Sequence, residues 1–282
     1  MTPSRLYTLQ IIALVACSLF CKTNGLSTQA TRCIKNEFRD RIDKLSSTSI
    51  VDMTPDETST NSEKYTNAKT SGAKCITNTN PLRQQLFTSP LISTLYERVL
   101  PPLWSTGLRI GGPDEEYKSA ASFLIGNGNS IALDMSCGTG FVGRRFASSG
   151  LFEQVFALDY SEQMLNECVA SIQRENEFDS PIAIVRGDAG SLPFNDDSFD
   201  CVHWGAAMHC VPDAEAALSE LYRVLKPGGR AYVTTFLRPF PDIVFRFFTV
   251  AEIEKIAKDA GFSSENFNVE GKGVYGILRA SK

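Results

Sequence analysis

Residues 131–143, IALDMSCGTGFVG, constrain this chain more than any other stretch. A short apolar run ends at Asp134, and Gly138, Gly140 and Gly143 follow at G-x-G-x-x-G spacing. That order predicts a strand, a glycine turn and a helix, in which backbone approaches a ligand where a side chain would clash. A second apolar run, VFAL, ends in Asp159, a carboxylate placed to accept hydrogen bonds from ribose hydroxyls. Together these residues imply a nucleotide-like cofactor without saying which one.

The pattern around the turn alternates strand and helix. Strands are expected at 130–134, 154–158, 181–186, 199–204 and 230–235, with helices at 140–149, 161–175, 213–225 and 249–260. Such alternation argues for a largely parallel sheet with helices on both faces. Upstream, helical spacing runs from Leu86 to Leu100 and stops at Pro101-Pro102, because proline lacks the amide donor and clashes with the preceding turn. Another helix is expected from Pro113 to Ile125, closed by Gly126. The tail, Asn266 to Ser281, reads as two short strands around Gly271 and Gly273, a hairpin at one sheet edge. Residues 81–282 therefore form the expected folded domain.

The first 80 residues read differently. Arg5 precedes an apolar run from Leu6 to Phe20, and small residues around Thr23 to Gly25 suit a signal peptidase, so 1–25 resembles a signal peptide. From Leu26 to Asn80 the chain is rich in Ser, Thr and Asn and is expected to be disordered, having too little apolar surface to offset its ordering entropy. Arg32, Lys35, Arg39, Arg41 and Lys44 give its first part a transit-peptide character, diluted by Glu37, Asp40 and Asp43. The pair of segments resembles the two-part presequences of algae with complex plastids; the alternative is a secreted or endomembrane protein with a flexible leader.

Charge narrows the partners. The formal net charge is −4 and no basic patch or stripe stands out, so no nucleic-acid partner is expected. The eight cysteines form no C-x-x-C pair and only His203 and His209 are available, so no metal site is expected. Cys137, Cys168, Cys201 and Cys210 read as buried free thiols.

Two features separate a nicotinamide cofactor from a methyl donor. After the third strand come Arg186-Gly187-Asp188-Ala189 and Leu192-Pro193-Phe194, where a carboxylate can accept from an exocyclic adenine amine between apolar neighbours. Then follow SFDCVHWG and EAALSELYRVLKPGGRAYVTTF: a strand, a helix, a Pro-Gly-Gly turn and a fifth strand. Here the chain resembles the class I S-adenosylmethionine-dependent methyltransferases, in particular the methyltransferase type 11 group. Within that group it is similar to plant and algal plastid-type members through LISTLYERVLPPLW, GGPDEEY, DMSCGTG, ALDYSEQML and HWGAAMHCVPD. Ubiquinone and menaquinone methyltransferases are similar more distantly.

The resemblance implies a Rossmann-like seven-stranded sheet, mostly parallel with an antiparallel last strand, and S-adenosylmethionine across its carboxyl edge. Asp134 would orient the turn or bind the methionine amino group, with Ser136, Cys137, Gly138 and Gly140 at the methionyl end. Asp159 would bind the ribose diol, Tyr160 and Met164 would pack near the adenine, and Asp188 with Ala189 would recognise its edge. Backbone around Trp204 and Gly205 would complete the pocket. Ser136 stands where glycine is commonest in the superfamily, as it does in the plastid-type group.

The acceptor is less constrained: a small molecule or a lipid-like compound, met by a monomer or a dimer. His209, in the loop AAMHCVPD, is the candidate base or acceptor-orienting group, its alternative being to pack against the following helix. His203 reads as core or cofactor wall, and Tyr96, Trp104, Tyr117 and Trp204 as aromatics that roof the pocket or fill the core. The GGPDEEY stretch reads as part of a lid contacting the site through Glu115, Glu116 and Tyr117, the alternative for the two glutamates being solvated surface. The family usually carries a longer insertion between the fifth strand and the helix near Thr249; here only LRPFPDIVFRFF intervenes. Phe240, Phe245, Phe247 and Phe248 would face a lipophilic acceptor, touch a membrane surface, or form an apolar lid over the core. Two other functions stay open: a nicotinamide-dependent oxidoreductase, and a non-catalytic module that binds the methyl donor.

Overall fold

The computed structural model describes residues 50–52, 112–125, 130–175, 178–238 and 245–282. Its elements are β1 (Ile50–Asp52), α1 (Pro113–Leu124), β2 (Ser130–Met135), α2 (Phe141–Ala147), β3 (Phe152–Asp159), α3 (Glu162–Glu175), β4 (Ile182–Arg186) and β5 (Phe199–Trp204). They continue with α4 (Ala214–Val224), β6 (Leu225–Phe236), α5 (Val250–Ala260), β7 (Phe267–Lys272) and β8 (Tyr275–Ser281). Every strand and helix expected from residue 113 onward is present. The expected helix at 86–100, the signal-like segment and most of 26–80 lie outside the described residues.

Strand order is β1-β4-β3-β2-β5-β6-β8-β7. The seven strands from β2 to β8 make the expected sheet, parallel except for β8, which runs antiparallel to both β6 and β7. The three-residue β1 adds an eighth strand, parallel to β4 at the sheet edge. It falls within the stretch expected to lack regular structure. The Pro-Gly-Gly turn differs from its expected form. Phe199 pairs with Leu225 but Cys201 pairs with Arg230, so Lys226 to Gly229 loop out of the ladder inside β6 instead of preceding it. Gly228 takes a φ of 77° in that loop.

Period-two alternation sends strand side chains to opposite faces. Leu133, Met135, Phe156, Leu158, Val202 and Trp204 join Leu218 and Leu221 of α4 and Ile253 and Ile256 of α5 in one core. On the other face, Ala132, Val155, Cys201 and Tyr232 pack with Ala120 and Leu124 of α1 and Val142 and Phe146 of α2. Ala157 and Ile184 meet Leu165, Cys168 and Ile172 of α3 there. The helix ends follow the sequence closely. Pro113 occupies the first turn of α1 with Asp114, Glu115 and Glu116, where proline's missing amide costs nothing and carboxylates suit the positive end of the helix. Thr249 and Glu252 form a reciprocal capping box on α5.

From β2 the chain winds outward through β3 and β4, then returns to lay β5 on the other side of β2. The crevice at the carboxyl ends of β2 and β5 is therefore the topological switch point, where ligands bind in open α/β sheets.

Candidate functional site

A cavity of about 220 Å³ opens at that edge. The carboxyl ends of four consecutive parallel strands line it: Asp134 and Ser136 to Thr139 at β2, Asp159 to Ser161 at β3, Asp188 and Ala189 after β4, and His203 with Gly205 to Ala207 at β5. Pro113 and Glu116 of α1 form one further wall, and Cys210 to Pro212 another.

The glycine turn is shaped by its backbone. Ser136, Gly138 and Gly140 have φ of 53°, 56° and 75°, in the left-handed region that glycine adopts freely and serine does not. Ser136 is steadied there as its hydroxyl accepts from the Trp204 indole N–H at 3.2 Å. A Cβ at Gly140 would stand 2.2 Å from Cys168 Sγ, so close packing as well as φ demands glycine. At Gly138 a Cβ would meet nothing within 4 Å, so the bare backbone faces open space as a cradle for a ligand does.

Two carboxylates brace this turn. Asp159 Oδ2 accepts from Gly138 N and Oδ1 from Ser161 N, both at 2.8 Å. Burial raises its carboxyl to about 6 against these stabilising amides. Asp134 Oδ2 accepts from Gly143 N at 2.8 Å, and Oδ1 meets His203 Nδ1 at 2.8 Å. His203 is 2% exposed, and its Nε2 lies 3.4 Å from Glu116 Oε1 at ion-pair distance but without a hydrogen bond. Burial opposes charging the ring, yet Asp134 and then Glu116 raise it to about 9. For Glu116, burial works against ionisation, but His203 together with the Thr234 and Tyr275 hydroxyls outweighs it, so its carboxyl sits below the usual value.

Most expected site residues converge. Asp134, Ser136, Cys137, Gly138, Asp159, Tyr160, Met164, Asp188, Ala189 and Gly205 all line the cavity. Gly140 shapes the turn from behind. Tyr160 is 41% exposed at the rim, and Asp188 Oδ1 accepts from Gly190 N at 2.9 Å, which orders the loop after β4. Cys168 and Cys201 are buried; Cys137 and Cys210 are half-buried at the cavity. The Cys137 thiol, hydrogen-bonded to Cys168 and desolvated, sits well above its usual pKa and stays protonated.

Three expectations are corrected. Trp204 is wholly buried and no wall of the cavity: its position alternates toward the α4–α5 core, and only its N–H turns toward the turn. His209 does not line the cavity either. Its ring is enclosed by Phe236, Phe245 and Phe247 at centroid distances of 5.0, 5.6 and 5.9 Å, with Nδ1 3.3 Å from Thr235 Oγ1. Phe245 and Phe247 thus pack on His209, Phe248 is buried, and Phe240 lies outside the described residues, as do Tyr96 and Trp104.

The third correction is Glu116, which is no surface residue. Its side chain is 17% exposed; Oε1 accepts from Thr234 Oγ1 at 2.7 Å and Oε2 from Tyr275 hydroxyl at 2.9 Å. Glu115 is exposed as expected, and Tyr117 packs on Phe146 in the core. Of its two alternatives, lid contact and surface, the sequence could not select the first, because the partners of Glu116 lie on β5, β6 and β8. The one local signal was helical: Glu116 and Ala120 fall on the same face of α1, four residues apart.

The fold and its edge of carboxylates and glycines define the class I, Rossmann-like methyltransferase architecture. Residues 133–233 match the family described as methyltransferase domain, and this stretch is a domain of that family. Two uncharacterized chloroplastic methyltransferases of Arabidopsis thaliana are similar: one is 44% identical over 57% of this chain and 46% of its own length, the other 38% identical over 76% and 65%. The chain thus spans less than two thirds of either. The 2-phytyl-1,4-naphtoquinone methyltransferase of Nostoc punctiforme is 37% identical over 43% of this chain and 52% of its own. Among solved structures, Haemonchus contortus phosphoethanolamine N-methyltransferase 2 in complex with S-adenosyl-L-methionine aligns at TM-score 0.56 and 19% identity, covering 69% of this chain and 57% of that one. At that identity the likeness is one of fold.

Proposed function

We propose that this chain is an S-adenosylmethionine-dependent methyltransferase acting on a small lipophilic acceptor in a plastid. One observation carries the reading: Asp159, held by two backbone amides beside an open Gly138, at the carboxyl edge of a parallel sheet. A carboxylate fixed that way keeps its outer lone pairs for a ribose diol, while Asp188 and Ala189, one strand over, suit an adenine edge. The donor set therefore fits the cofactor. When bound, S-adenosylmethionine would supply a methyl group activated on a sulfonium sulfur.

The chain's own work is then positioning and exclusion of water. The Ser136–Gly140 turn backs the methionyl end, Tyr160 and Met164 flank the adenine, and the loop from Gly205 to Pro212 bounds the side from which an acceptor approaches. In-line displacement draws most of its acceleration from such placement. Neither histidine offers a proton acceptor to the cavity: His203 is engaged by Asp134 and Glu116, and His209 is boxed by phenylalanines. That suits a nucleophile needing little help, such as a ring carbon activated by its own hydroxyl. The names of the quinone-methylating relatives point the same way, and those of the two Arabidopsis relatives support the plastid.

Calorimetry with S-adenosylmethionine and S-adenosylhomocysteine tests the first step, and binding of both is expected. Failure to bind either, or binding of NAD(H) in their place, sinks the proposal. Incubation with labelled donor and a plastid lipid extract, followed by mass spectrometry, then identifies the acceptor; label confined to water-soluble products would remove the lipophilic part of the reading.

A further inference from the structure

Glu116 and Asp134 both line the cavity, and the single imidazolium of His203 lies between them. Two carboxylates share one cation, so the cluster holds one negative charge in excess. Nearby cations do not cancel it. Arg144, which also lines the cavity, is paired with Glu175, and Arg279, over the Tyr232 ring, is paired with Glu270. The remaining groups facing His203 are neutral: Tyr232 stacks on its ring at 6.2 Å and Phe146 meets it edge-on at 5.9 Å. Those facing Glu116 are the hydroxyls of Thr234 and Tyr275.

The fold reserves room for this arrangement. A Cβ at Gly205 would stand 2.7 Å from Glu116 Oε1 and 2.5 Å from His203 Cε1. Docking α1 does not itself require the charge. A neutral amide at position 116 would accept from Thr234 and donate to the Tyr275 oxygen equally well. His203 already favours ionisation of Glu116, so two charged carboxylates stand beside one imidazolium and the second has no positive partner of its own. A ligand bearing net positive charge supplies it.

We propose that Glu116, through this uncompensated charge, is a specificity-determining residue that makes the cavity prefer the sulfonium donor to its thioether product. The inference rests on reading the cavity as the S-adenosylmethionine site. Donor and product share adenosine, ammonium and carboxylate; they differ by one methyl group and one positive charge on sulfur. A buried negative excess acts on that difference, more strongly than it would in water because the walls are poorly polarisable. The spent cofactor is thereby released in favour of a fresh one.

The test compares dissociation constants for S-adenosylmethionine and S-adenosylhomocysteine in the wild-type chain, Glu116→Gln and Thr234→Val at pH 7. Glu116→Gln should weaken the donor about tenfold and barely change the product, so the preference falls about tenfold. Thr234→Val disturbs the dock of α1 but leaves the charge, and should weaken both ligands alike. Equal losses for both ligands in Glu116→Gln, or an equal shift in preference from Thr234→Val, would overturn the proposal. The wild-type chain provides a test free of folding defects. As pH rises from 7 through about 9, His203 loses its proton and the negative excess grows, so the donor preference should widen. A flat preference across that range overturns the charge argument. Binding of neither ligand at pH 7 defeats the functional reading itself, an outcome distinct from unaltered preference with both ligands bound.

Discussion

The turn after β2 and the loop after β5 end neighbouring strands at one sheet edge, yet they are held in opposite ways. After β2, backbone amides of Gly138 and Gly143 donate to carboxylates, and left-handed φ values do the shaping. After β5, side chains hold the loop: Thr234 Oγ1 accepts from Ala206 N, and three phenylalanines enclose His209. Ala206, with φ of 47°, is the one left-handed residue there. Under the proposed function, the donor side is the one shaped by main chain and the acceptor side the one held by packed side chains.

Substitutions should reproduce that asymmetry. The largest effect is expected at Asp134, whose loss leaves a buried imidazolium without its closest partner and Gly143 N without an acceptor. Asp134→Ala should cost about 3–5 kcal/mol of stability in chemical denaturation, together with donor binding. A midpoint close to that of wild type would show that the turn is not braced as described.

A smaller effect is expected from pH at Asp159. Its folded carboxyl titrates at about 6, above the usual 3.8, so this group favours the fold below pH 3.8 and that contribution is lost as pH rises through about 6. Donor binding runs the other way, because a ribose diol needs the ionised carboxylate. Affinity for S-adenosylmethionine should fall about tenfold between pH 7 and pH 5, as one proton competes per site. Calorimetry across that range measures it, and pH-independent affinity would separate Asp159 from the ligand.

The smallest effect belongs to the acceptor side. His209→Phe keeps the ring in its aromatic box and should change kcat by less than about threefold, whereas loss of a general base costs about a hundredfold or more. A hundredfold drop in kcat would move proton transfer to this loop and dissolve the contrast between the two ends.

What was legible in the sequence follows the same division. Gly138, Gly140, Asp159 and Asp188 could be placed because each stands at a fixed distance after an apolar run, and strand ends in such a sheet converge on one edge. Asp134 has the same kind of sequence position, but its bond to His203 has no sequence signal, since the two meet only when β2 and β5 pair. His209 and Trp204 misled for a related reason. Both lie in or beside the right strand, and only the direction of the side chain, set by pleat and loop geometry, decides whether a residue faces ligand or core. The glycine loop inside β6 was read as a turn between elements because the spacing of Lys226 to Gly229 does not reveal that β5 pairs on both sides of it.

The contact between Tyr275 and Glu116 joins residues 159 positions apart. It forms only after β8 has slotted between β6 and β7. One wall of the cavity therefore waits on the pairing of parts of the chain that lie far apart in sequence. Pairings of such long range are also slow to close. In refolding, recovery of ligand binding should lag behind the burial of Trp204, so that the binding site reports the completion of the molecule.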